Sequence, residues 1–99
     1  PGRRERAQTG DVHRFRADRM RLLAESASGE ERVRLLREAA DDYDVCVERF
    51  EGLSNYLDSG ANLRLCRQQA ERVRLELGVL IFRGLFDRRG AGIGLEDPS

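Results

Sequence analysis

The chain of 99 residues contains no lysine, no tryptophan, a single histidine and no long apolar segment. The longest uninterrupted apolar run, from Val79 to Phe82, is far too short to span a bilayer, and no signal-peptide pattern is present. The histidine, His13, has no cysteine or carboxylate pair near it at the spacing of metal ligands. We therefore expect no membrane span and no metal site.

Sequence signatures of catalysis are also missing. The chain has no Cys-x-x-Cys motif, no nucleophile elbow and no glycine loop of the kind that cradles phosphate. Gly90, Gly92 and Gly94 follow a predicted helix instead of preceding one, so they lack the helix N-terminus that phosphate binding uses. We expect no cofactor and no catalytic residue, and hence a protein that is not an enzyme.

The absence of lysine leaves arginine as the only strong cation. Eighteen arginines balance eighteen acids, so no net field attracts nucleic acid or membrane. A GC-rich coding sequence explains the arginine bias as well as a functional demand does. Residues 1–24 nevertheless hold seven arginines and three acids. A basic arm followed by a basic helix is the pattern behind one alternative, nucleic-acid binding through this N-terminal cluster.

Two helices are predicted in the first half of the chain. Asp11 is a good N-cap for a helix that runs to about Ala27. Ser28 and Glu31 fit a capping box that starts a second helix, which then runs to about Leu57. Its apolar residues repeat every seven positions and predict a seam like that of a coiled coil. The seam consists of Leu36, Ala39, Tyr43, Cys46, Phe50, Leu53 and Leu57.

A short breaker at 58–60 precedes a third helix from about Ala61 to Arg88. A short connection between two long helices predicts an antiparallel hairpin. The expected fold is all-α, a three-helix bundle built on this hairpin with a shorter N-terminal helix packed against it. We expect residues 1–10 to form a flexible arginine-rich arm, residues 11–89 the bundle, and residues 90–99 a flexible tail.

The hairpin also predicts the state of the two cysteines. If the chain reverses at Ser59 and Gly60, Cys46 and Cys66 lie about seven residues apart along the hairpin, or roughly 10 Å. That separation is beyond disulfide reach. We therefore expect two buried thiols in a reducing compartment, and an intracellular protein located in the cytoplasm or nucleus.

The third helix has two apolar faces, and this is the most informative feature of the chain. One face matches the seam of the hairpin and comprises Leu63, Cys66, Ala70, Val73, Leu77 and Leu80. The other lies opposite and comprises Leu75, Val79, Phe82 and Phe86. Either the first helix or another chain covers this second face, and the first helix is short with an apolar stripe that arginines interrupt. The surplus therefore predicts contact with another chain.

The sequence thus favours a protein–protein interaction domain, most simply a self-associating dimerisation module. The expected interface is Leu75, Val79, Phe82 and Phe86, flanked by Ile81 and Leu85. The main alternative is a module that binds a heterologous amphipathic helix on the same face. Because the chain begins Pro-Gly without methionine, we expect it to belong to a larger intracellular scaffold or regulatory protein.

Overall fold

A computed structural model describes residues 2–53 and 56–92, with side chains described as far as residue 84. The described residues form three helices: α1 (Arg3–Glu25), α2 (Gly29–Phe50) and α3 (Ser59–Gly92). Helix α2 packs against both of the others, whereas α1 and α3 barely meet. The prediction of an all-α three-helix bundle is confirmed, with α2 as its central helix. The first helix is shorter than α3 but, at 23 residues, not shorter than the 22-residue α2.

Helix α1 begins at Arg3, so the predicted start at Asp11 is too late and residues 3–10 belong to the bundle. Gly10, the last residue of the predicted arm, is instead buried within the helix. A Cβ atom at this position would come within 2.6 Å of the Phe50 ring. Gly10 is therefore a point of close helix approach and not a helix breaker. The predicted tail begins too early, because α3 continues through Gly92 and so includes residues 90–92. The rest of the predicted tail lies outside the described residues.

Helix α2 begins directly after Ser28, as predicted, but ends at Phe50 and not near Leu57. The Ser28 side chain makes no capping hydrogen bond. The Glu31 carboxylate, its predicted partner, instead accepts two bonds from Arg34, at 2.6 and 3.1 Å. The chain turns through Gly52, at a φ of 82°, and Leu57, at a φ of 51°. Leu57, predicted as the last seam residue, is 83% exposed.

The predicted seam is otherwise the core of the structure. On α2 and just beyond it, the buried side chains include all the remaining seam positions: Leu36, Ala39, Tyr43, Cys46, Phe50 and Leu53. On α3, the first face is buried in its centre and packed at its edges; Cys66, Ala70, Val73 and Leu77 are buried, while Leu63 and Leu80 pack against the core. Heptad spacing therefore identified the hairpin interface correctly.

Cys46 and Cys66 form a disulfide, with their Cα atoms 6.3 Å apart. The prediction of two free thiols is therefore wrong. Its error follows from the helix boundary, because α2 ends earlier and the hairpin reverses within residues 51–58. That reversal shifts the register and brings the two cysteines level with each other. With both cysteines oxidised, free thiols no longer support the predicted reducing compartment.

Helix α3 is longer than its neighbour and extends beyond it. The disulfide fixes the register, and counting equal numbers of residues away from it places Gly29, the first residue of α2, level with Arg83 of α3. The rest of α3, as far as Gly92, extends past α2 by roughly 14 Å. No helix in the described part of the chain is both long and apolar enough to cross a membrane.

Candidate interaction site

The outer face of α3 exposes three large apolar side chains in a row. Leu75 is 71% exposed, Val79 49% and Phe82 69%. Because these residues are four and three positions apart, they form one stripe along the helix. The opposite side of α3 packs against α2, so neither α1 nor α2 covers the stripe. We call Leu75, Val79 and Phe82 the α3 outer face.

The remaining predicted interface residues have different positions. Ile81 is 40% exposed and lies to the side of the α3 outer face. With Leu80 and Val33 it lines a groove of about 750 Å³ between α3 and the start of α2. Leu85 and Phe86 lie on the helical backbone of α3, and their side chains are outside the described residues. The structure thus brings together three of the six predicted residues on a single face.

Ion pairs border the α3 outer face without crossing it. Arg74 pairs with Asp44 of α2, and Arg32 of α2 binds Glu76 at 2.5 Å. Both pairs fasten α3 to α2, so their charges are neutralised in place. Gly78, between Leu75 and Val79, has open space where a side chain would be. A second helix can therefore approach the backbone closely at this point.

A second exposed apolar face lies on α1, and sequence reasoning missed it. We call it the α1 outer face; its exposed side chains are Val12, Phe15, Leu22 and Leu23. No role was predicted for these residues from the sequence. In the structure α1 contacts α2 through small residues instead, with Gly10, Ala17 and Ala24 all buried. These three small residues are spaced seven positions apart, and this repeat is the sequence signal that could have identified the packed face of α1.

The arginines of α1 are largely engaged within the chain. Arg6 donates to the carbonyl oxygens of Glu48 and Glu51, at 3.2 and 3.4 Å. The Arg3 guanidinium lies 5.6 Å from the centre of the Tyr56 ring, and that of Arg14 lies 4.7 Å from the centre of the Phe15 ring. The N-terminal arginines therefore belong to a packed helix, which removes the flexible arm that the nucleic-acid alternative required.

Polar side chains join α1 to α2 along the edges of this contact. The buried Tyr43 hydroxyl donates to Asp18 and accepts from Arg21 Nε at 3.3 Å. Burial, reinforced by the bond to the Asp18 carboxylate, raises the pKa of Tyr43 to about 12. The bond to Tyr43 also raises the pKa of Arg21, so its guanidinium is held in the charged form.

His13 belongs to the same helix contact. Its Nδ1 lies 2.9 Å from the buried Asp42 carboxylate, and Arg16 approaches the second oxygen of that carboxylate at 3.7 Å. The three side chains bridge α1 and α2 and need no ligand to explain their arrangement. Among the described residues no group of three histidine, cysteine or acidic side chains is placed to hold a metal ion.

No protein-family model, no curated protein and no solved structure is similar to this chain.

Proposed function

We propose that this chain is a self-associating interaction domain, in which two copies pair through the α3 outer face. The observation that supports it is the exposure of Leu75, Val79 and Phe82 on a helix whose opposite side is already buried. Isolated exposed apolar residues are ordinary on protein surfaces, but a contiguous stripe along one helix is typical of an interface.

A second copy suits this face better than an unrelated partner for a geometric reason. Helix α3 extends roughly 14 Å past α2, so each copy offers a projecting helix that its own bundle does not accompany. An antiparallel pair related by a two-fold axis near Gly78 places Leu75 beside Phe82 of the partner subunit. The open space at Gly78 allows the two helices to come close at the axis.

The strength of the pair can be bounded. Complete burial of an apolar side chain contributes about 1.5–3 kcal/mol. For Leu75, Val79 and Phe82, pairing can gain only the share of this free energy that corresponds to their exposed fractions. Two copies double this contribution, which then becomes comparable with the roughly 4–15 kcal/mol that association costs. The gain from these three side chains therefore leaves little surplus over the cost, and we expect a weak, reversible dimer and not a permanent one.

Light scattering and sedimentation velocity of the oxidised chain test this proposal. Wild type is expected to change from monomer to dimer as its concentration rises toward the millimolar range. Leu75→Glu with Phe82→Glu is expected to remain a folded monomer, because both side chains are exposed and the fold does not depend on them. Phe15→Glu with Leu22→Glu, the matched change on α1, is expected to dimerise as wild type does.

Two results would overturn self-association. One is a wild-type chain that remains monomeric at millimolar concentration; if an added amphipathic helix then stabilises it, the heterologous alternative takes its place. The other is a dimer that persists in the doubly substituted α3 variant.

The cellular setting of the domain is part of the same proposal. A disulfide between two fully buried cysteines is typical of proteins that work in oxidising compartments. We therefore favour such a compartment over the cytoplasm or nucleus. Membership of a larger scaffold or regulatory protein stays a prediction.

A further inference from the structure

We propose that the α1 outer face binds an anionic lipid surface, with α1 lying parallel to the membrane plane. This is independent of pairing through α3, because it uses a different helix and a different kind of partner. The central observation is the combination of exposed apolar and exposed cationic side chains on one side of α1.

The apolar part of the face follows helical spacing. Val12, Phe15 and Leu22 lie at offsets of zero, three and ten and are 53%, 58% and 56% exposed. Leu23 borders them. Phe15, Leu22 and Leu23 also line a shallow hollow of about 610 Å³ on this side of the helix. Four exposed apolar side chains on one helix form a surface that water does not favour.

Two arginines lie among the apolar side chains on this side of α1. Arg19 is exposed and lies between Phe15 and Leu22 on the same stripe. Arg16 is also exposed, although its Nε lies 3.7 Å from Asp42 of α2. The neighbouring acids are Asp11, which is half-buried, and Asp18, which lines the same hollow and accepts a hydrogen bond from the Tyr43 hydroxyl of α2. An anionic lipid surface can bind arginines and apolar side chains at the same time. The headgroup phosphates bind the guanidinium groups, and the apolar side chains insert at the boundary between headgroups and acyl chains.

Other partners fit this combination less well. A nucleic acid would bind the arginines through its phosphates but would leave Val12, Leu22 and Leu23 in water. A second copy would have to bury Arg19 in the centre of an apolar contact, where the loss of water around its guanidinium costs free energy. Arginine beside a lipid surface keeps its charged end at the headgroups while its stem covers apolar surface.

Binding to vesicles tests the proposal, using the full oxidised chain. The chain is incubated with phosphatidylcholine vesicles and with phosphatidylcholine–phosphatidylglycerol vesicles, and the bound fraction is measured by flotation. We expect binding to the mixed vesicles alone, weakened by added salt.

Two pairs of variants locate the binding surface, with circular dichroism confirming that each is folded. Phe15→Ser with Leu22→Ser is expected to weaken vesicle binding by at least about tenfold. Arg16→Gln with Arg19→Gln is expected to weaken it by about 30-fold, from roughly 1 kcal/mol per arginine. Leu75→Ser with Phe82→Ser and Arg72→Gln with Arg83→Gln, the matched changes on α3, are expected to leave it unchanged.

Several results would overturn the proposal. Equal binding to both kinds of vesicle would remove the role of headgroup charge, and loss of binding in the α3 variants would assign the surface to the other helix. If Phe15→Ser with Leu22→Ser converts a dimer to a monomer without changing vesicle binding, a second copy covers α1. If the wild type binds a labelled oligonucleotide but no vesicle, the partner is a nucleic acid. A wild-type monomer that still binds vesicles would contradict pairing through α3 and leave the lipid-binding proposal intact.

Discussion

The central helix α2 uses two different packing modes on its two sides. Against α3 it presents apolar side chains, reinforced by a disulfide and by ion pairs at the edges. Against α1 it presents large side chains to small ones, with Phe50 directly over Gly10, and adds polar bridges through Tyr43 and Asp42. One helix can thus be held by covalent and apolar contacts on one side and by close approach on the other.

The difference explains why α1 and α3 both keep an apolar face in solvent. Small residues bring α1 close to α2, so its large apolar residues are not needed in the contact and remain outside. Helix α3 instead has two apolar stripes and packs almost entirely against α2, so its second stripe remains exposed. The two exposed faces therefore arise from different causes.

Removing the disulfide is the strongest way to test the α2–α3 side. Cys46→Ala with Cys66→Ala is expected to lower the free energy of unfolding by about 3 kcal/mol, because the open chain gains conformational entropy when it unfolds. Denaturant titration followed by circular dichroism measures this change. Wild type in a reductant that has opened the bond is the matched control and should unfold at a similarly lowered denaturant concentration. Two reactive thiols in unfolded, unreduced wild type would contradict the bond itself.

Filling the space at Gly10 tests the α1–α2 side. Gly10→Ala is expected to destabilise the chain by about 1–3 kcal/mol, because the new methyl group would displace the buried Phe50 ring. Gly78→Ala is the matched control, since its Cβ would enter open space and alanine favours the helix by about 1 kcal/mol over glycine. Both changes are made in the Phe82→Glu background, so that association does not contribute. Equal effects of the two substitutions would contradict close packing at Gly10.

Removing the Tyr43 hydroxyl is the smallest change. At neutral pH, Tyr43→Phe is expected to cost about 1 kcal/mol by breaking the bridge between α1 and α2. The pKa of Tyr43 is about 12 when folded, whereas an unfolded tyrosine ionises near pH 10. Unfolding therefore releases a proton between these values, and stability that is complete below pH 10 is lost as the pH rises toward 12.

Denaturant titrations across this alkaline range measure the effect. The loss should be much smaller in Tyr43→Phe, while the matched control Tyr56→Phe should retain it. An unchanged alkaline profile in Tyr43→Phe would show that the raised pKa does not contribute to stability.

The sequence predicted the apolar interface between α2 and α3 well and the closely packed interface between α1 and α2 poorly. Heptad spacing identifies buried positions such as Leu36 and Val73, because large apolar residues must be removed from water. Glycine, in contrast, has two opposite meanings. Gly10 resembles a break before a helix and is a packing site within it, and only the ring of Phe50 in three dimensions distinguishes these cases.

The helix boundary at the hairpin had a larger consequence than its length suggests. The prediction extended α2 to Leu57, whereas the helix ends at Phe50. The longer helix placed the reversal of the hairpin too late, and the resulting register separated Cys46 from Cys66, which are in fact bonded. On the candidate site, helical spacing was enough to find the exposed Leu75, Val79 and Phe82. It did not find the α1 outer face, since the packing of α1 through small residues is invisible to a search for large ones.

The disulfide also changes the covalent topology of the chain. Cys46 and Cys66 close a ring of backbone that contains the whole connection between α2 and α3. A protease that cuts once within that ring leaves a single molecule, because the disulfide still joins the fragment that holds α1 and α2 to the fragment that holds α3. The connection between the two helices can therefore be cleaved without releasing the helix that bears the α3 outer face.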